Sequence, residues 1–135
     1  MKKNLLLVVT LLFAFILTTG CGCNKKSEKA SKKVKANTNE NVVKDQELEV
    51  FKFTNTSLVY EDSTSILTTV VTNTSDKTEY LKEFKIIVKD NNGGEIVTLT
   101  GFVGDNIEAK GSTVITSSYG QDLTKAASIE YEIVR

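Results

Sequence analysis

Apolar positions along the chain follow two regimes. From Leu5 to Leu17 they run together, broken only by Thr10. From Glu47 onward they alternate with polar positions in short segments rich in Val, Ile, Thr, Tyr and Phe, the period of half-buried strands. Leu48–Thr54 predicts a first strand and Ser57–Tyr60 a short continuation beyond the turn-like Asn55-Thr56. Ser65–Asn73 places Leu67, Thr69 and Val71 on one face and Ile66, Thr68, Val70 and Thr72 on the other. After a polar turn at 74–78, Tyr80–Lys89 sets Phe84, Ile86 and Val88 opposite Glu83, Lys85 and Lys89. Asp90-Asn91-Asn92-Gly93-Gly94 is a strong hairpin signal, because Asn and Gly accept positive φ cheaply. Glu95–Val103 returns as its partner. A loop at 104–111, a strand at Ser112–Tyr119, a connector at 120–126 plugged by Leu123 and a strand at Ser128–Val134 complete the chain. In the last strand Ile129, Tyr131 and Ile133 alternate with Ser128, Glu130 and Glu132, which predicts Tyr131 in the core.

Six to seven strands with regular turn signals and no sustained helical period predict an all-β fold, a single antiparallel β-sandwich, over residues 46–135. About 90 residues suit one such domain. Helix is expected at most as one turn within 122–127.

The amino-terminal run has thirteen residues, which cover roughly 20 Å of helix against a hydrocarbon core of roughly 30 Å. Behind Lys2 and Lys3 it reads as the core of a secretory signal over residues 1–20, not as a permanent span. Leu17-Thr18-Thr19-Gly20-Cys21 follows, with small residues ahead of a cysteine. This stretch resembles the lipobox of bacterial lipoproteins. The resemblance implies cleavage before Cys21, a diacylglyceryl thioether on its sulfur and localisation on the extracytoplasmic face of the cell membrane. Two acyl chains hold a protein on a bilayer where one gives only reversible binding. Cys23 reads as a spectator thiol, since the chain has no histidine and no further cysteine with which to build a metal site.

Charge divides the rest. Residues 24–44 hold seven lysines against two glutamates, while residues 45–135 hold eight Lys or Arg against fifteen Asp or Glu. The first block carries few apolar residues, so residues 21–45 are expected to form a disordered basic linker behind the anchor. As a flexible coil it would span roughly 25–30 Å, and its lysines could lie on anionic headgroups.

Within the domain the order of elements resembles a family. Asn73-Thr74-Ser75 is followed by Phe84-Lys85-Ile86-Ile87-Val88-Lys89-Asp90, the Asn-Gly hairpin and Lys110-Gly111 before the next strand. This is similar to the FxLYD-type immunoglobulin-like domains of small Gram-positive extracytoplasmic proteins. The resemblance covers roughly residues 58–134. It implies an immunoglobulin-like sandwich and no enzyme activity or named ligand.

Catalytic chemistry is hard to assemble from these residues. Without histidine there is no side chain whose ordinary titration lies near neutrality, and no base for a serine nucleophile. Glu61-Asp62 and Glu130/Glu132 are the paired carboxylates, and strand alternation turns the second pair outward. Asp90, Asn92, Gly94 and Glu95 resemble part of a calcium loop but lack its twelfth-position glutamate, and a tight hairpin explains them. No cofactor is expected. With no tryptophan, Tyr80 and Tyr119 are the candidates for a binding surface. A non-enzymatic role with an envelope protein as partner is expected, by strand addition or through a loop face. A solute- or ligand-capturing lipoprotein auxiliary to a transporter or wall enzyme is the alternative. The compartment and the absence of interleaved aromatics in the basic tail disfavour nucleic acid.

Overall fold

The computed structural model describes residues 33–135. The apolar run, Cys21, Cys23 and the tether through Lys32 lie outside the described residues. The chain forms β1 (Lys35–Ala36), α1 (Glu40–Val43), β2 (Gln46–Leu48), β3 (Phe51–Glu61), β4 (Thr64–Asn73), β5 (Glu79–Lys89), β6 (Glu95–Ile107), β7 (Ser112–Tyr119) and β8 (Ser128–Val134). Two antiparallel sheets pack as a sandwich. In the first, β4 lies between β3 and β7, and both β1 and β2 pair with the free side of β3. In the second, β5 lies between β6 and β8.

Strand alternation decides what each sheet buries. Leu67, Thr69 and Val71 of β4 face the core, as do Phe84, Ile86 and Val88 of β5. The core centres on three rings. Phe53 from the first sheet stacks on Tyr131 from the second, with centroids 4.3 Å apart, and meets Phe84 edge-on at 4.9 Å. Tyr131 needs a partner for its hydroxyl there. It finds Thr56 Oγ1 at 2.8 Å, which in turn meets Thr69 Oγ1 at 3.1 Å. Burial pushes the Tyr131 phenol above its usual range, and the hydrogen bonds with Thr56 and Thr69 pull the other way.

Three expectations are corrected. Asn55-Thr56 does not end a strand: β3 runs through it by a bulge, with the register slipping between Thr54 and Ser57 and Asn55 at φ 51°. The extra residue turns Thr56 inward, where it meets Tyr131. Likewise β6 does not stop at Val103. It bulges at Gly104, whose φ is 66°, and continues to Ile107.

The third correction concerns the boundary at 45/46. Residues expected in the linker are packed into the domain, raising the strands to eight. Lys35 and Ala36 pair with Tyr60 and Val59. The Asn37 amide donates to the Leu58 carbonyl (2.8 Å), while its side chain donates to the Ala126 carbonyl (2.9 Å). Asn39 caps α1 by accepting from the Asn41 amide, and Val42 is fully buried in the core. One valine and a few backbone bonds suffice to seat a segment that average composition marks as unfoldable. The helical turn thus lies at 40–43, while 122–127 is a non-helical turn that does bury Leu123.

That turn is held by Asp122. Its Oδ1 accepts from the amide and hydroxyl of Thr124, and its Oδ2 meets Lys35 Nζ at 3.0 Å. These contacts, the Thr124 hydroxyl first and Lys35 after both Thr124 groups, lower the Asp122 carboxyl to about 2. A carboxyl depressed in the folded state stabilises it above the ordinary range near 4 and loses that contribution as pH falls toward 2. Amide exchange at Thr124 is therefore expected to accelerate as pH falls from about 4 to about 2 relative to the intrinsic rate, and Asp122→Asn should abolish that acid step.

Candidate interaction edge

The two tyrosines singled out from the sequence are not brought together. Tyr80 opposes Asn106 on the second sheet, at the end where Asn73 closes β4, and it is 61% exposed. Tyr119 opposes Ser65, at the other end of β4, and packs half-buried against the core. Tyr80 instead lines a cleft of about 450 Å³ with Val50, Phe51, Leu81, Ile133 and Val134, which the Glu49–Arg135 ion pair borders.

The paired carboxylates are engaged in the surface of the sheet. Glu130 meets Lys89 at 2.6 Å and Glu132 meets Lys85 at 2.8 Å. The hydrogen bond and charge of Glu132 raise the Lys85 pKa. In the hairpin, Asp90 Oδ1 accepts from the amides of Asn92 (2.8 Å) and Gly94 (2.9 Å), which binds the turn together. Among the described residues no group of three or more Cys, Asp or Glu is placed to hold a metal ion.

The two open sides of the sandwich differ sharply. On one side β8 is the edge of its sheet. Gln46 Nε2 donates to the outward Ile129 carbonyl (2.7 Å), and α1 and β2 lie against the strand. Charged pairs gather on this side, with Lys52 near both Asp45 and Glu47 and Arg135 bonded to Glu49. Short neighbours, charge and a covering segment are the usual protections of a sheet edge.

The other side is less charged, but β7 lies against β6 there and the Glu95 carboxylate accepts from the Thr98 hydroxyl at 2.7 Å. This side is formed by β6 and β7, the outer strands of the two sheets. Residues 96–104 read Ile-Val-Thr-Leu-Thr-Gly-Phe-Val-Gly and residues 112–119 Ser-Thr-Val-Ile-Thr-Ser-Ser-Tyr, without a charge or a proline. Phe102 and Val114 are each 63% exposed, and Ile96 is exposed near the start of β6.

Backbone direction on β6 follows from one bond. Ser117 Oγ, reaching across from β7, donates to the Thr100 carbonyl at 2.7 Å, so Thr100 turns its backbone groups away from β5. Alternation then turns those of Thr98 and Phe102 the same way. Among the described residues they meet no backbone partner on that side. Bulges at Ile96 and beyond Phe102 bound the regular stretch. The result is a short length of ladder with outward donors and acceptors, flanked by apolar side chains.

The outer face of the first sheet continues this uncharged character. Cross-strand rows run Val59–Ile66–Ser118, Ser57–Thr68–Thr116 and Thr54–Val70–Val114. Charges enter at the ends of this face, with Glu61 opposite Thr64 and Lys52 in the row Lys52–Thr72–Ser112.

The sequence contained the signal for this edge, a nine-residue run with neither charge nor proline, but pairing decides whether such a run is central or peripheral. Comparison of the chain with protein families, with curated proteins and with solved structures finds no match.

Proposed function

We propose that the chain is an extracytoplasmic lipoprotein, anchored in the cell membrane through an acylated Cys21, whose immunoglobulin-like sandwich is a non-enzymatic protein-interaction module. The observation that supports it is the run of β6 from 96 to 104 without charge or proline, with Ile96 and Phe102 exposed on it. A partner strand laid along β6 would find outward main-chain groups at Thr98 and Phe102 and apolar contacts at Ile96 and Phe102, the chemistry of strand addition. The lipobox resemblance at 17–21 supports the anchor, and the order of elements from 58 to 134 supports an FxLYD-type domain.

Crosslinking capture in the native envelope tests this reading, with Cys21→Ala and Thr98→Pro as variants. Proline at 98 removes an outward donor while leaving the ladder to β5 intact. One stoichiometric partner, lost with Thr98→Pro and mislocalised with Cys21→Ala, is the expected result. A chain whose fractionation ignores Cys21→Ala refutes the anchor.

The cleft beside Tyr80 supports the second reading, a ligand-capturing lipoprotein. Its apolar lining with a charged rim suits a small molecule with an apolar body. Thermal stabilisation by a ligand, abolished by Tyr80→Ala, would favour it over the first.

A further inference from the structure

We infer that residues 33–48 are exchanged between two copies of this chain, each copy seating the other's segment where its own would lie. The inference goes beyond the strand-addition reading and uses neither β6 nor the anchor. The segment is a strap of three pieces too short to stand alone: two residues of β1, one turn of α1 and three residues of β2. Asn37 and Val42 are its only buried residues. The strap crosses both sheets, with β1 and β2 on β3, α1 against β8 and Gln46 bonded to the Ile129 carbonyl.

The sheets pair without it. Apart from its bulge, β3 is joined to β4 from Phe51 to Glu61, and β8 is joined to β5 from Ser128 to Val134. Lifting the strap therefore leaves a paired sandwich with a vacant seat for Asn37, Val42 and β2. The occupant that fits this seat is the strap sequence itself, so a second copy can fill it with every contact repeated.

The hinge favours that exchange. Between β2 and β3 stand only Glu49 and Val50. Glu49 holds φ at 56°, in the left-handed region, although it is neither Gly nor Asn. Val50 is fixed from the β3 side, its carbonyl accepting from the Thr74 amide (2.7 Å) and hydroxyl (3.0 Å). Short hinges under strain invite swapping, because extending Glu49 relieves it and makes β2 and β3 one strand. The register lets two such strands pair. Gln46–Phe53, Glu47–Lys52 and Leu48–Phe51 are each centred on the 49–50 peptide bond. A twofold axis at that bond repeats every pair between copies and adds Glu49 opposite Val50 of the other copy, twice. Glu47 keeps a lysine partner, now Lys52 of the other copy, and no like charges are opposed. The exchange is reciprocal, so it closes at two.

The test uses the full chain in detergent micelles, with Cys21→Ala and Cys23→Ser so that introduced thiols are the only ones. One preparation carries Glu47→Cys and a second, isotopically heavy, carries Lys52→Cys, at cross-strand partner positions. A chain with both substitutions shows by its internal disulfide that the pair can bond. Concentrating the two single variants together and oxidising them is expected to join light chains to heavy ones through a 47–52 disulfide. No such bond between chains, when it forms within the double variant, overturns the inference. Hinge variants supply the second measurement. Glu49→Gly accepts positive φ freely and should favour the closed monomer, whereas Glu49→Pro cannot reach it and should dimerise. Sedimentation is expected to place their association midpoints about tenfold or more apart, since each dimer opens two hinges. Both variants lose the Arg135 ion pair, so it drops out of the comparison. Circular dichroism checks that each retains its fold. Equal midpoints, or a folded Glu49→Pro chain that stays monomeric, overturn the exchange and leave the β6 reading untouched.

Discussion

Gly101→Val is expected to unfold the domain or bring it to the margin of stability. Gly101 lies opposite Phe84 in the ladder between β6 and β5. A Cβ at Gly101 would stand within 3.0 Å of three atoms of the Phe84 ring. That ring cannot withdraw, because it is fully buried and held edge-on against both Phe53 and Tyr131. Overpacking of a tight core costs about 1–3 kcal/mol and occasionally more. Here the upper end is expected, since even alanine collides and valine adds two methyl groups. Urea denaturation with tryptophan-free probes, such as tyrosine fluorescence or far-UV dichroism, gives the midpoint. Phe84→Leu should lose stability by itself yet restore part of what Gly101→Val loses, because the two positions share one volume. A Gly101→Val protein within about 0.5 kcal/mol of the parent, the range of a neutral surface change, would mean that the aromatic cluster repacks freely.

Asn73→Asp is expected to destabilise by about 3–5 kcal/mol at neutral pH, the range for an uncompensated buried charge. The side chain is fully buried at the end of β4. Its Nδ2 donates to the carbonyls of Lys77 (2.7 Å), Ile107 (2.9 Å) and Glu108 (3.2 Å), and its Oδ1 accepts from the Ser75 amide (2.9 Å). One amide thereby joins the turn after β4 to the end of β6, across the two sheets. Aspartate keeps the shape and reverses the chemistry: a carboxylate oxygen would face three carbonyl oxygens, with no proton between them. Such a carboxyl has its folded-state pKa raised, so the variant should regain stability as pH falls and the acid protonates. Midpoints of denaturation compared at neutral pH and near pH 4.5 test this. A loss that does not shrink with acid would place the cause in the turn backbone rather than in the three carbonyls.

These two positions show what was legible in the sequence. The sandwich, the core faces of β4 and β5 and the inward Tyr131 follow from alternation, which is a local property. Pairing is not local. Thr-Asn-Thr-Ser occurs at 54–57 and again at 72–75 and reads as the same turn chemistry twice. In the structure, Asn55 is the exposed positive-φ residue of a bulge, while Asn73 is a buried clamp. The difference comes from residues more than thirty positions away, Ile107 and Glu108, whose carbonyls Asn73 satisfies. Seating the basic segment had the same limit. Nothing in the sequence around Val42 shows that the sandwich holds a place for it. The candidate edge was half visible: the uncharged run on β6 can be read directly, and its position as an outer strand cannot. Tyr80 and Tyr119 were chosen as aromatic residues outside the predicted core, and their separation follows from two pairings in different sheets, β5 with β6 and β4 with β7.

The aromatic centre also sets a schedule. Phe53, Phe84 and Tyr131 come from β3, β5 and β8, so the third ring reaches the other two only after nearly the whole domain is available. The first long hairpin, β3 with β4, can pair as soon as residue 73 is free, but its buried face has no cover until β5 and then β8 arrive. Folding should thus wait on late, long-range contacts and be slow, as in other sandwiches of non-local pairing. Until β8 is available no shorter length of the chain can complete this core, so the domain should close in one step once its last strand is made.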